Sequence, residues 1–221
     1  MEIQELTIFT NRLTEQKQFY SEILELDILN ESKNFVLFNI GSSNLKFVKR
    51  KKLATPYHFA FNIPSNKEKD ALEWLKTRVE VLKMKGNEIQ DFDGWNAKAV
   101  YFYDLDNNIV ELIARNNLNY TSTEKFNQNS LLEISEIGIP TTNIEKEFTF
   151  LNKKLGLSIY DGGFNDFCAI GAETGLFICM NKNVKGWYPM NDKAYSSDFE
   201  LKVIIEKEKF NIEYLNGKLK L

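Results

Sequence analysis

The chain contains a single histidine, His58, which opens a stretch typical of a buried β-strand at residues 58–63. Further along, Glu111 lies in a second apolar stretch, which follows an Asp/Asn-rich turn at residues 104–108. An imidazole and a carboxylate on neighbouring strands supply two ligands of a divalent-metal site. The structural alternative is a hydrogen-bonded core histidine and a solvated strand glutamate. The pattern of elements around the pair favours the metal site.

Composition limits the class of protein. The 221 residues are 43% hydrophobic and 27% charged, which is typical of a globular protein with one large or two small domains. A net charge of −3 without a long basic run gives no reason to expect nucleic acid or an anionic membrane as a partner. No apolar stretch approaches the roughly 20 residues of a membrane helix, and residues 1–5 lack the features of a signal peptide. Cys168 and Cys179 lie in apolar stretches and form no CxxC motif, so we interpret them as reduced thiols in the core. We therefore expect a cytoplasmic protein.

The elements that position His58 and Glu111 repeat along the chain. Residues 6–48 predict a strand, a helix and three strands, and the same order starts again at His58 and at residue 134. Residues 19–26 align with residues 150–157, an offset of 131 (150 − 19). A fourth repeat begins at Asp198, and too few residues follow it for a helix and three strands.

A polar stretch around residues 116–123 indicates a linker between the second and third repeats. We therefore expect a complete two-module domain with the site at residues 1–116, a linker at 117–130, and an abbreviated second domain at 131–221. The chain end after Leu221 is the reason for expecting an abbreviated C-terminal half.

Several of these features together resemble the vicinal oxygen chelate superfamily. They are the paired β-α-β-β-β modules, Phe19-Tyr20 ahead of a Leu-x-Leu at residues 24–26, and YFYDLDNNIVELI at residues 101–113. The superfamily includes glyoxalases, bleomycin and fosfomycin resistance proteins, and extradiol ring-cleaving dioxygenases. Residues 57–64 and 95–115 look most like its catechol-2,3-dioxygenase-like members. The resemblance implies an α+β fold in which tandem modules form a curved mixed sheet around a cleft.

In that superfamily the metal ligands come from the first and last strands of the modules. The resemblance implies Glu5, His58 and Glu111 as ligands, with Glu111 or Glu5 doubling as the catalytic base. The last-strand position of module one is Phe47, which cannot bind a metal. Three ligands with open positions suit a divalent ion such as Fe, Mn, Ni or Zn, and its identity stays open.

Polar and aromatic residues near the strand ends are candidates for binding the substrate. The expected cleft-lining residues are Tyr57, Asn62, Trp95, Asn96 and Tyr101. Aromatic rings there would hold a flat or apolar small molecule. Glu136 and Asp198 match the first-strand position in the third and fourth repeats. We expect both to be structural or solvated, because module four lacks a strand to carry an opposing carboxylate.

Two functions from different classes fit these residues. The first is a metal-dependent enzyme, dioxygenase-like or glyoxalase/lyase-like, acting on a small molecule with vicinal oxygens. The alternative is a metal-free small-molecule binding or resistance protein with an aromatic cleft and no cofactor. A third hypothesis makes the C-terminal half a structural or dimerisation element, which leaves a homodimer open.

Overall fold

The computed structural model describes all 221 residues, in two β-sheets and three α-helices. The seven-stranded sheet contains β1 (Glu2–Thr10), β2 (Ile28–Ser32), β3 (Phe35–Ile40), β4 (Ser43–Lys49), β13 (Phe199–Ile205), β14 (Glu208–Leu215) and β15 (Lys218–Lys220). The eight-stranded sheet contains β5 (His58–Ile63), β6 (Gln90–Phe92), β7 (Ala97–Tyr103), β8 (Ile109–Arg115), β9 (Glu133–Thr141), β10 (Ile159–Gly162), β11 (Phe167–Ala172) and β12 (Gly175–Asn181). The expected α+β class, with few helices and strand-rich sheets, is confirmed.

Each of the first three modules places one helix between its first strand and the strands that follow. The helices are α1 (Leu13–Gln18, continued by a π-helical turn at Phe19–Ile23), α2 (Glu68–Lys76) and α3 (Ile144–Leu155). In α3 the Asn143 side chain accepts a hydrogen bond from the Lys146 amide at 2.9 Å, and Gly156 ends the helix at φ +67°. No helix of the structure combines the length and the apolar character needed to cross a membrane.

The modules do not pair as the sequence led us to expect. The order of the eight-stranded sheet is β10-β11-β12-β9-β5-β8-β7-β6, and β5 pairs antiparallel with β9 through Phe59 and Ile137. In the other sheet β1 pairs antiparallel with β13. The prediction that modules one and two form a complete cleft at residues 1–116 is therefore wrong. Module two shares its sheet with module three, across residues 117–130, and module one shares its sheet with module four.

The physical reason lies at the edges of the first strands. Within a module the first strand pairs with the last one, as β1 does with β4 and β5 with β8. The other edge exposes backbone N–H and C=O groups that must find a partner. The first strand of any other module can supply these hydrogen bonds, and the local sequence does not determine which module provides the partner.

The eight-stranded sheet has an approximate twofold axis. The strands of module three follow in the reverse order of those of module two, and Phe59 of β5 pairs with Ile137 of β9. By this relation His58 of module two corresponds to Glu136 of module three. The two side chains therefore start from equivalent positions on neighbouring strands.

Module four contains β13, β14 and β15 and lacks a helix. β13 turns directly into β14 through Glu206 and Lys207, whose φ angles of 50° and 74° suit a tight hairpin. β14 consequently runs antiparallel to β13, whereas β4 runs parallel to β1 after the α1 crossover.

Buried contacts join the two sheets. The Tyr20 hydroxyl of module one donates to Asp104 Oδ2 of module two at 3.0 Å. The expected linker also contributes to the core, because Phe126 is buried and its ring centroid lies 5.6 Å from that of Trp74.

Candidate metal centre

Three central strands bring an imidazole and two carboxylates together. His58 opens β5, Glu111 lies on β8 and Glu136 on β9. All three side chains are buried, and one ligand atom from each lies within 4.8 Å of the others. His58 Nε2 is 3.6 Å from Glu111 Oε2 and 3.7 Å from Glu136 Oε2. Both separations are too long for direct hydrogen bonds.

The geometry fits a metal ion. The Nδ1 of His58 lies 3.2 Å from the Ile109 carbonyl oxygen, and as the donor it leaves the Nε2 lone pair facing the carboxylates. Metal-binding histidines are commonly held in this way. Two atoms bound to one ion at about 2.1 Å can lie up to about 4.2 Å apart, and both separations from His58 Nε2 are shorter than this.

Burial and mutual charge perturb the acid–base groups. Burial disfavours the charged His58, but the carboxylates of Glu136 and Glu111 outweigh it and raise the pKa of this imidazole. Burial, together with the charge of Glu136, raises the pKa of Glu111 above the ordinary glutamate range. Such a centre holds protons that a divalent cation would replace.

Tyr101 lies directly across the β7–β8 ladder from Glu111. Burial and the charges of Glu111 and Glu136 raise its pKa well above the ordinary tyrosine value. Tyr101 is therefore a neutral phenol beside the carboxylates, able to donate a proton in a hydrogen bond.

A loop between β12 and β13 covers the centre. Its Trp187 is buried, and the centroid of its ring lies 4.9 Å from that of His58. The ring packs against Gly138 on β9, where a Cβ would lie 2.5 Å from Trp187. Only glycine leaves room for this approach.

The centre forms the base of a cavity of about 270 Å³. Its aromatic walls are Phe92, Trp95, Tyr101, Phe167, Trp187 and Tyr188. Asp161 and Lys185 add charged groups to the lining, and Asp161 Oδ2 accepts a hydrogen bond from Trp95 Nε1 at 2.7 Å. A flat, largely apolar small molecule with polar atoms at one end matches this lining.

The approximate twofold axis defines a fourth position. Glu111 is the parallel partner of Ala60, and the equivalent partner of Gly138 is Ile178. Ile178 lines the cavity and cannot bind a metal. The protein therefore offers three ligands and leaves the remaining positions open.

A buried arginine lies behind the centre. Alternation along β8 puts Arg115 on the same face as Glu111. Its Nη2 donates to Glu136 Oε1, and its Nε donates to Asn62 Oδ1 at 3.1 Å. The guanidinium carbon lies 5.3 Å from the centroid of the Trp95 ring.

Glu5 does not join His58 and Glu111, so its expected ligand role is wrong. It lies on β1 in the seven-stranded sheet, and its Oε1 is 3.0 Å from Lys202 Nζ. The expected module-one counterpart of Glu111 also shifts by one residue, because Thr7 pairs with Lys46 on β4. Phe47 faces the core instead, with its ring centroid 4.9 Å from that of Tyr20.

The residues expected to line the cleft separate into two groups. Trp95 and Tyr101 line the cavity. Tyr57 does not, because its hydroxyl donates to the Asp198 carbonyl at 2.6 Å and so joins the two sheets. Asn62 lies behind the centre as a support for Arg115.

Asn96 is also outside the cavity. It follows the short 3₁₀ turn Asp93–Trp95 with φ 48°. At the surface its side-chain amide donates a hydrogen bond to Asn117 Oδ1 and accepts one from Asn116 Nδ2.

Glu136 is the acidic residue that the sequence reasoning misassigned. It shares with Glu5 the position fourteen residues ahead of a phenylalanine, so the signal was present in the repeat. We expected a structural role because the fourth module could not complete a site with the third. The structure pairs the third module with the second, where His58 and Glu111 supply the missing ligands. No feature of the sequence other than its residue type indicated that Trp187 belongs to the site.

Sequence comparison finds relatives that cover half of the chain. No protein-family model matches the chain. It is 33% identical over 117 residues to the metallothiol transferase FosB of Staphylococcus haemolyticus, which is 50% of this chain and 81% of that protein. The FosB of Staphylococcus epidermidis is 32% identical with the same coverage.

Structure comparison finds the same architecture over most of the chain. A proposed dioxygenase of Bacillus subtilis superposes with a TM-score of 0.63 at 13% identity, covering 96% of this chain and 84% of that one. Glyoxalase I of Zea mays superposes with a TM-score of 0.56 at 14% identity, covering 80% and 66%. At these identities the likeness establishes the fold.

Proposed function

The chain belongs to the vicinal oxygen chelate superfamily, and from this premise we propose a metal-dependent enzyme acting on a small molecule with two neighbouring oxygen atoms. One observation carries the proposal. His58, Glu111 and Glu136 converge at the base of an aromatic cavity, with the imidazole Nε2 directed at both carboxylates.

A divalent ion would be held by these three residues. When bound, it supplies Lewis acidity that polarises substrate oxygen atoms. The two carboxylates favour a harder ion such as Mn(II) or Fe(II), while the imidazole also accepts Ni(II) or Zn(II). Two carboxylates neutralise the ion, and the guanidinium of Arg115 adds one positive charge. This charge balance suits a substrate that binds as a monoanion.

The surrounding residues orient the substrate and handle its proton. Tyr101 is a neutral phenol beside Glu111. It would donate a hydrogen bond to a substrate oxygen atom close to that carboxylate. Glu111 is the acid–base residue of the proposal, provided that its bond to the metal is labile. Trp187 excludes water from the side of His58 that faces the loop.

The type of reaction is part of the proposal. The relatives by sequence are named metallothiol transferases, and the relatives by fold include a glyoxalase and a proposed dioxygenase. A dioxygenase-like or a glyoxalase/lyase-like reaction uses the same open positions, and transfer of a thiol is a third candidate.

A metal-free binding or resistance protein is the competing proposal. The aromatic lining of the cavity favours it, because six rings can hold a planar drug without any metal. The imidazole and two carboxylates at the base favour the enzyme, since buried acids without a counter-ion are costly.

Metal analysis separates the two proposals. Purified protein is offered Fe(II), Mn(II), Ni(II) and Zn(II) and analysed by mass spectrometry, alongside a turnover screen of catechols, hemithioacetals and thiols. We expect one ion per chain and turnover that a chelator removes. Wild-type protein that takes up none of these ions, yet binds an aromatic drug, would overturn the enzyme proposal.

A cytoplasmic location, a small-molecule partner and a homodimer remain predictions. Modules two and three of one chain already complete the centre, so the proposed site needs no residue from a second copy. Sedimentation of the purified protein would measure its assembly.

A further inference from the structure

The two oxygens of Glu136 have different partners. Oε1 accepts a hydrogen bond from Arg115 Nη2, whereas Oε2 is the oxygen 3.7 Å from His58 Nε2. Glu136 therefore presents one oxygen to the centre and the other to the arginine.

The arginine is fixed in place from several sides. Arg115 is fully buried, and Asn62 Oδ1 accepts from its Nε at 3.1 Å. Asn62 is held in turn, because its amide donates to Glu133 Oε1 at 2.7 Å and to the Glu173 carbonyl at 3.0 Å. Trp95 closes the cavity side of the guanidinium. A buried guanidinium held in this way cannot swing away without losing its charge partner.

A carboxylate that is free at both oxygens can bind an ion with one or with both. Each additional protein oxygen removes a position that substrate would otherwise use. We propose that Arg115 is a positioning residue that restricts Glu136 to binding the metal through Oε2 alone, which keeps a coordination position open for substrate. This inference rests on the proposed function, since it concerns the same centre.

The buried pair of Arg115 and Glu136 differs from an ordinary ion pair. The chain also contains an ordinary pair, Arg78 and Glu25, which serves for comparison. Arg78 lies over Trp74 at 4.5 Å and pairs with Glu25 Oε2 at 2.8 Å, but Glu25 is exposed and is not part of the centre or of the cavity lining. Replacement of Arg78 by methionine also removes an arginine that lies over a tryptophan ring and pairs with one glutamate, but from a more exposed site. It therefore controls for general effects of losing a paired arginine.

The test compares R115M, R115K, R78M and wild-type protein, each crystallised with whichever of the four ions the wild type binds. In wild type, R115K and R78M, we expect Glu136 to bind through one oxygen, with roughly three of six positions open to water for an octahedral ion. In R115M we expect both oxygens to bind and about one fewer water. For Mn(II), water counting by electron–nuclear double resonance in ¹⁷O-labelled water gives the same comparison in solution.

The outcomes separate this inference from the proposed function. Uptake of no ion by the wild type overturns the proposed function and this inference with it. Ion binding with Glu136 chelating through both oxygens in the wild type overturns the role of Arg115 alone. The same holds if R115M binds the ion through one oxygen with an unchanged water count. If R115M does not fold, the wild-type and R115K structures still decide the inference, because both must show Oε1 engaged by the cation at position 115.

Discussion

Glu136 and Glu5 allow one substitution to be compared in two environments. They lie 131 positions apart at corresponding places in modules three and one (136 − 5). Only Glu136 lies in the cluster with His58. Glutamine retains the size of glutamate and a neutral oxygen, so Glu136→Gln and Glu5→Gln each remove one charge with little change in packing.

The structure predicts different costs in the free energy of unfolding. Glu136 is paired with the fully buried Arg115, and breaking a buried pair costs about 3–5 kcal/mol. Because the amide oxygen of glutamine can still accept a hydrogen bond, we expect about 3 kcal/mol for Glu136→Gln. Glu5 pairs with Lys202, whose side chain is 60% exposed, so Glu5→Gln should cost about 0–1 kcal/mol.

Metal binding adds a second difference. A ligand present at about 100 times its dissociation constant stabilises a protein by about 2.7 kcal/mol. Wild type and Glu5→Gln should both gain this amount when the ion is added. Glu136→Gln should gain close to nothing at the same concentration, since one of three ligands has lost its charge.

Urea denaturation of the three proteins, with a chelator and then with the ion, measures both effects. Equal losses in the two variants under chelation would refute the burial argument. A full metal-dependent gain in Glu136→Gln, or its absence in Glu5→Gln, would refute the assignment of ligands.

Three further predictions follow from individual contacts. His58→Ala should abolish metal uptake measured by mass spectrometry, because no second histidine can replace the lost ligand; retained stoichiometric metal would contradict this. Burial raises the pKa of Asp104 to about 6, so its protonated form is favoured in the fold and its stabilising contribution is lost as pH rises through 6. The free energy of unfolding of wild type relative to Asp104→Asn should therefore fall between about pH 4 and pH 6, by at most about 3 kcal/mol, and a flat difference in urea denaturation would exclude the effect. Gly138→Ala should displace Trp187 from His58 and destabilise the fold by about 1–3 kcal/mol, and a crystal structure with Trp187 unmoved would contradict it.

Residues within one module could be predicted to lie together. His58 and Glu111 belong to β5 and β8, which pair in parallel through a local β-α-β-β-β unit. The position of Tyr101 next to Glu111 could be predicted as well, because β7 forms a hairpin with β8. Alternation along each strand then decides which side chains share a face. The sequence contained all of this information.

The third ligand could not be chosen in the same way. Glu5 and Glu136 have the same spacing to the helix of their own module, and either would serve as a first-strand ligand. The choice depends on which first strand pairs with β5, a contact between modules. Trp187 depends on the same pairing, because its loop leaves module three and crosses the face that modules two and three share.

The seven-stranded sheet shows what distinguishes the centre from its counterpart. By strand register, Glu5 and Lys46 occupy the places of His58 and Glu111, while Glu200, paired with Thr7, occupies the place of Glu136. These counterparts are partly or fully exposed, whereas the three residues of the centre are buried. Exposed charges form weak surface pairs that water screens, as between Glu5 and Lys202. Burial beneath Trp187 removes that screening from His58 and its two carboxylates, which is the condition under which a divalent ion becomes the most favourable partner.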